Sequence, residues 1–461
     1  MSFSSSKKIS LAIGLFLFAL ILFLTGGHST FWNAIALGGL MIYFWLFEII
    51  PIYLTALLPL IFGVPLGVLN PEQLASSYGD KFVYLFLGGF VLALALEKWH
   101  VHIQIAQKII ALVGKSKGRI LLGFLLTTSF LSMWISNTAT TLMMLPMAIA
   151  VIDVLPNTEK KHSKFPLFLL LSVAYGASIG GMATLVGSPT NTAMASALQK
   201  NFNTSIDFVG WFNVGFPVTV IVLIAAYFYF NLLIGRERKD AINGFDLEKK
   251  KWTKDQLRVC LIFLIVVILW IFKGSLKTIL PFKYTDEGAA ILGALLLFFV
   301  PSESPKKQLL EWGDMRNLPW GVLLLFGGGT ALATMFKANG VVDSLSKTMT
   351  NYTDLPYVAI LLVIVALGIF ATEVMSNFAL ITAFIPVIAQ FALDSNYSLL
   401  QMCLPVTLAA SCAFMLPVGT PPNAIVFSSG YVSIKKMARY GFLMNLISLF
   451  IIVGMAILLI D

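Results

Sequence analysis

Apolar runs separated by short polar breaks occupy most of the chain. Segments such as 261–272 and 289–300 have no polar face. Such runs, about 16 to 25 residues long, match the length a helix needs to cross roughly 30 Å of hydrocarbon. The pattern predicts crossings near 9–25, 32–50, 52–68, 82–98, 166–200, 209–234, 256–273, 286–300, 319–337, 398–430 and 438–460. Two further apolar segments, 118–155 and 357–393, are long enough to enter a membrane, turn and leave on the same side. Counting either as a simple crossing inverts everything downstream, so both are expected to be re-entrant hairpins. The expected fold is an all-α integral membrane protein with about 11 transmembrane helices and two hairpins. Between the fourth crossing and the first hairpin, Lys98–Gly118 reads as an amphipathic surface helix. Ile103, Ile109 and Leu112 would line one side, with Lys108, Lys115 and Lys117 toward headgroups.

Composition agrees: 58% of the 461 residues are hydrophobic and 11% charged, far from the balance of a soluble domain. The net charge of +9 is distributed by topology. With a cytoplasmic amino terminus, 24 of the 31 Lys and Arg fall inside, as the positive-inside rule requires. The charge therefore does not mark a nucleic-acid patch. Lys7 and Lys8 precede an apolar run, but no small-x-small cleavage pattern follows, so an uncleaved first span is expected. Cys260, Cys403 and Cys412 stand singly, without disulfide or zinc spacing. All four histidines read as loop or membrane-edge residues, leaving Ser132 and Ser136 without a base for nucleophilic catalysis. No Walker loop is present for ATP-driven pumping.

The chain repeats itself. Leu85-Phe86-Leu87-Gly88-Gly89 returns 240 residues later as Leu325-Phe326-Gly327-Gly328-Gly329. The same displacement carries Ser136-Asn137-Thr138-Ala139 onto Ser376-Asn377-Phe378-Ala379 and Pro146 onto Pro386. Val186-Gly187-Ser188-Pro189-Thr190-Asn191 matches Val418-Gly419-Thr420-Pro421-Pro422-Asn423. An odd number of crossings separates each element from its copy, so the repeats are expected to be inverted, as in secondary transporters. The expected organisation is an N-terminal span (1–30), a first repeat (31–235), a charged cytoplasmic linker (236–255) and a second repeat (256–461).

Polar residues at membrane depth are costly without partners. Ser136-Asn137-Thr138 and its copy would lie where hairpin helices end and backbone groups are free to meet an ion or anion. A single triplet could merely cap a turn; two at one displacement favour a site. The Gly-x-Pro breaks remove helical hydrogen bonds, exposing carbonyls to a cation while half-helix ends face an anion. Neither tips nor breaks contain Lys or Arg, so a multivalent anion would need a co-bound cation. Glu48, Glu97 and Asp153 read as helix-end carboxylates, whereas Glu373, beside the second triplet, is a functional candidate.

At these residues the chain resembles the divalent anion:sodium symporter family. The stretch from Ser411 to Phe427, SCAFMLPVGTPPNAIVF, looks like the family signature, and Ser136-Asn137-Thr138 looks like its first hairpin motif. The resemblance spans nearly the whole chain. It implies one sodium site from Ser132, Ser136, Asn137 and the Gly187 region. A second would come from Thr372, the Met375 backbone, Asn377 and the Gly419 region, giving two or more coupling sodium ions. Asn137, Thr138, Ser188, Pro189, Asn377, Thr420 and Pro421 would line the substrate site. The resemblance further implies a homodimer among lipids in the cell membrane, with elevator-type movement. The expected activity is sodium-coupled symport of C4-dicarboxylates such as succinate, malate and fumarate. Sodium-independent exchange, or carriage of sulfate or a tricarboxylate, is the alternative. Phe378 departs from the family pattern, which has Thr or another smaller residue there. Its ring either narrows the site or packs away from it.

Overall fold

Helices end where capping chemistry permits. In the computed structural model, Asn70 and Gln73 close a capping box on Pro71–Tyr78, and Thr253 and Gln256 close another on Lys254–Ile271. Asp80 and Asp207 cap Lys81–Lys98 and Phe208–Ile234. The structure describes residues 5–156, 158–159, 163–242, 251–279, 283–304, 307–349 and 355–460. Part of the expected linker (243–250), with Lys160, Lys161 and His162, lies outside them. The described residues form helices throughout and contain only two isolated β-bridges.

Among the described residues, six helical segments are long and apolar enough to cross a membrane, and further apolar helices run 10–17 residues. The shorter ones reflect interruption. The first hairpin consists of Lys117–Ser132 and Asn137–Asp153, the second of Tyr357–Thr372 and Asn377–Asp394. The expected crossing 166–200 is Phe165–Gly180 and Pro189–Phe202 with a break between, and 398–430 is Leu399–Ala410 and Pro421–Ser428.

Glycines let the supporting helices approach closely. A Cβ on Gly88 would stand 2.6 Å from the Ala290 backbone, where Lys81–Lys98 crosses Asp286–Phe299. The three glycines of Trp320–Ala338 serve different neighbours: Gly327 admits Tyr78, Gly328 the backbone of Ala56, and Gly329 the ring of Phe378. Ser5–Leu24 packs on Thr30–Leu46 and leaves Phe16 and Phe23 exposed, as a lipid-facing helix does.

Several expectations need correction. The 52–68 segment is not one crossing but two short helices, Ile52–Thr55 and Leu58–Phe62, because Pro51 and Pro59 set helix starts and Gly67 turns at positive φ. The surface helix runs Val101–Val113 and packs Val101, His102, Gln104, Ala106 and Ile110 on the protein, while Leu112 is exposed. His102 lies buried on this helix, its Nδ1 3.3 Å from the Leu96 carbonyl. Lys117 is buried and paired with Glu159 at 2.7 Å and Asp240 at 3.5 Å, so it does not face headgroups. A helix at Val341–Met349, 240 residues after the one at Val101, was not anticipated.

Candidate functional site

Each hairpin turns through four non-helical residues, and its second helix begins at the recurring asparagine. Ser136 and Ser376 are the N-caps, with φ/ψ of −56°/143° and −60°/130°. Five residues before each asparagine stands a hydroxyl that bonds to it. Ser132 Oγ donates to Asn137 Oδ1 at 2.7 Å, and Thr372 Oγ1 donates to Asn377 Oδ1 at 2.5 Å. At Ser132 this bond orients the Asn137 amide with Oδ1 toward the hydroxyl and leaves the Nδ2 donors for other partners. Thr372 Oγ1 also lies 2.9 Å from the Ala410 carbonyl, so its single proton serves one of these two acceptors at a time. Ser132 and Thr372 are buried, whereas Asn137, Thr138 and Asn377 are half-buried. Met375, half-buried, occupies the place that Ile135 takes in the first hairpin.

The helix breaks are equally alike. Ser188 and Thr420 cap the second half-helices with φ/ψ of −140°/139° and −143°/147°. Pro189 and Pro421 occupy the first helical position, where a missing N–H costs nothing. Asn191 Nδ2 donates to the carbonyls of Gly181 and Thr184, both at 2.8 Å. Asn423 Nδ2 donates to those of Ala413 and Leu416, both at 3.0 Å. The offsets of ten and seven residues are the same, so each break is a loop pinned by its own asparagine. Asn423 Oδ1 is buried without a hydrogen-bond partner.

Glycines let tip and break meet. A Cβ on Gly181 would stand 2.5 Å from Asn137 Oδ1, and one on Gly187 would stand 2.7 Å from the Gly181 carbonyl. A Cβ on Gly419 would lie 3.1 Å from Glu373 Oε2. Each hairpin tip thus rests on the break of its own half, and Cys412 Sγ lies 3.8 Å from Met182 Sδ where the two breaks touch. The half-helices cross over: Pro421–Ser428 packs on Asn137–Asp153, and Pro189–Phe202 packs on Asn377–Asp394. The structure therefore brings Ser132, Asn137, Gly181 and Gly187 together in the first half, and Thr372, Asn377, Glu373 and Gly419 in the second, with Ser136, Ser188, Met375 and Thr420 adjoining them in the chain. Four helix N-termini, each a source of partial positive charge, begin at these residues.

The halves differ in exposure. Val186 is 7% exposed but its counterpart Val418 is 73% exposed; Pro421 is exposed where Pro189 is half-buried. Phe378 is buried at 5%, edge-on to Trp45 with centroids 6.5 Å apart and tilted against Phe326 at 5.9 Å.

Sequence reasoning missed the donors that satisfy the break carbonyls. Trp211 Nε1 donates to Met182 O at 2.9 Å, and Tyr175 OH donates to Phe414 O at 2.7 Å. Beside the same carbonyls stand Gly215 and Gly441, on the long helices that follow each break. Asn445 and the bonds of Glu373 also escaped notice; Glu373 Oε1 accepts from Phe414 N, Met415 N and Asn445 Nδ2, and Oε2 from Leu416 N. The glycines had a weak signal, since each interrupts an apolar helix; the aromatic donors had none.

Comparison with known proteins agrees with this geometry. The family model described as the sodium:sulfate symporter transmembrane region matches residues 5–459. A sodium-dependent dicarboxylate transporter, SdcS, of Staphylococcus saprophyticus is 38% identical, over 98% of this chain and 91% of its own length. SdcS of Staphylococcus aureus is 36% identical with the same coverage. Among solved structures, the YdaH transporter of Alcanivorax borkumensis superposes with a TM-score of 0.58 at 13% identity. The match covers 84% of this chain and 86% of that one, and shows likeness of fold. With its duplicated hairpins and broken helices, the chain is a multi-pass membrane transporter rather than an enzyme, and it belongs to the sodium:sulfate symporter family.

Proposed function

We propose that the protein couples inward sodium movement to uptake of C4-dicarboxylates such as succinate, malate and fumarate. The observation that carries this reading is the duplicated hydroxyl–asparagine pair at each hairpin tip, set against a break pinned by a second asparagine. Neutral oxygens are its cation ligands. Ser132, Ser136, Asn137 and the backbone near Gly187 serve one sodium ion; Thr372, Met375 O, Asn377 and the backbone near Gly419 serve the other. The unpartnered Asn423 Oδ1 fits this donor set, because a buried acceptor calls for a cation or a water. The anion meets the Nδ2 donors of Asn137 and Asn377, the hydroxyls of Thr138, Ser188 and Thr420, and the half-helix ends at Pro189 and Pro421. Since no Lys or Arg stands among these residues, the sodium ions supply the charge that a dianion needs.

The relatives' names support sodium and dicarboxylate as the coupled pair. The repeats 31–235 and 256–461 are then the two inverted halves, working in the cell membrane as a homodimer with a cytoplasmic amino terminus and an elevator-type stroke. The test is uptake of labelled succinate into proteoliposomes with and without an inward sodium gradient. Gradient-driven accumulation is expected. Uptake that ignores sodium but requires internal dicarboxylate would show an exchanger instead, and competition by sulfate or citrate but not succinate would displace the substrate class.

A further inference from the structure

The two half-sites hold their breaks in different ways. Residue 373 corresponds to Met133 by the 240-residue displacement, and 414–416 correspond to 182–184. In the first half, the N–H groups of Met182 and Ala183 stay within the backbone, bonding the carbonyls of Ile179 and Gly180 at 3.1 and 3.0 Å. Thr184 Oγ1 then ties the break to its hairpin tip through the Met133 carbonyl at 2.5 Å. In the second half, the three successive N–H groups of Phe414, Met415 and Leu416 turn onto Glu373, at 2.8, 2.9 and 2.9 Å. Asn445, from Ile434–Leu459, adds a fourth donor at 2.7 Å. Glu373 is 3% exposed, and among the described residues no Lys or Arg is paired with it. All four partners are donors, so both oxygens act as acceptors, the role of a carboxylate.

We propose that Glu373 is the positioning residue of the second half-site: its carboxylate clamps the 414–416 backbone to the hairpin tip and gives this half-site a fixed negative charge that the first lacks. The proposal rests on the assignment of Thr372, Asn377 and Gly419 to a cation site. Thr372 is the adjacent residue, and the space that a Cβ on Gly419 would need ends 3.1 Å from Glu373 Oε2. A buried anion held only by amide dipoles favours a nearby cation, because attraction is poorly screened there. The second half-site therefore binds sodium more tightly than the first, and sodium binding stabilises the clamp.

Two measurements on purified protein test this, comparing wild type with Glu373→Gln and with the milder Asn445→Ala. Hydrogen exchange reads the amides of 414–416 against those of 182–184. A sodium titration of thermal stability, with choline as balancing ion, reads half-saturation without transport. In Glu373→Gln, exchange at 414–416 should accelerate about tenfold while 182–184 stay unchanged, and half-saturating sodium should rise roughly fivefold or more, the scale of one charge-assisted hydrogen bond. Asn445→Ala should shift both the same way by less, and, read at Met415 and Leu416 because Phe414 N also donates to Asn445 Oδ1 at 3.3 Å, it carries the test if the Gln variant fails to fold. Unchanged exchange at 414–416 would overturn the clamp. Faster exchange with half-saturation within about twofold of wild type would overturn the role of the charge. A wild type indifferent to sodium in both stability and uptake would sink symport and with it the cation role, while exchange still decides the clamp.

Discussion

At the scale of single residues, Asn137 and Asn377 carry the largest expectation. Each amide is held by one hydroxyl, and Asn137 lies against the break at Gly181, so under the proposed roles truncation removes a substrate donor and a cation ligand together. Asn137→Ala and Asn377→Ala should each cut succinate uptake by at least about tenfold, as loss of charge-assisted bonds would, with expression and elution profile unchanged. Near-normal uptake by either variant would dissolve the composite site. Phe378 belongs to packing, since its ring lies among Trp45, Phe326 and Gly329. Phe378→Thr should therefore lower thermal stability by about 2–4 kcal/mol through cavity formation. Competition by succinate, malate, citrate and sulfate should keep its order; a new preference for citrate would return the ring to the substrate site. Ser132 and Thr372 were legible because a fixed displacement relates them. Tyr175 and Phe414 lie 239 residues apart, and only the folded chain shows that one donates to the other.

Among the elements, the hairpins and breaks were legible because Pro and Gly interrupt runs that are otherwise continuous. The same reasoning failed at 52–68, where mean apolarity hid the prolines that divide it. Which face of the Val101–Val113 helix packs on protein was not legible, because it depends on neighbours distant in sequence. Close helix contact makes a further prediction. A Cβ on Gly180 would fall 2.6 Å from Ser129 Cα, at the seam between Phe165–Gly180 and the first hairpin. Gly180→Ala should cost about 1–3 kcal/mol by overpacking. Gly39 also lies within a helix, but a Cβ there meets nothing within 4 Å. Gly39→Ala should leave the protein at least as stable, since Ala is the better helix former, and equal loss in both variants would show that the seam does not decide the effect.

For the whole molecule, the charge distribution predicts orientation. With the amino terminus inside, Lys435 faces the cytoplasm and His28 the opposite side. In a background lacking Cys260, Lys435→Cys should react with an impermeant maleimide only after cells are permeabilised, whereas His28→Cys should react in intact cells. The reverse pattern would invert the topology and the direction of transport.

The crossed packing of the half-helices also bears on how the protein is made. Asn137–Asp153 packs on Lys117–Ser132 and Phe165–Gly180 nearby in the chain, but it meets Pro421–Ser428 only about 270 residues further along. At roughly 5–20 residues per second, the first hairpin waits some tens of seconds after synthesis before that helix exists. During this interval its polar tip has no counterpart from the second half. Ribosomal stalling anywhere before Pro421 leaves the first hairpin packed on its own half but without its partner from the second, so the crossed contact is completed only late in synthesis.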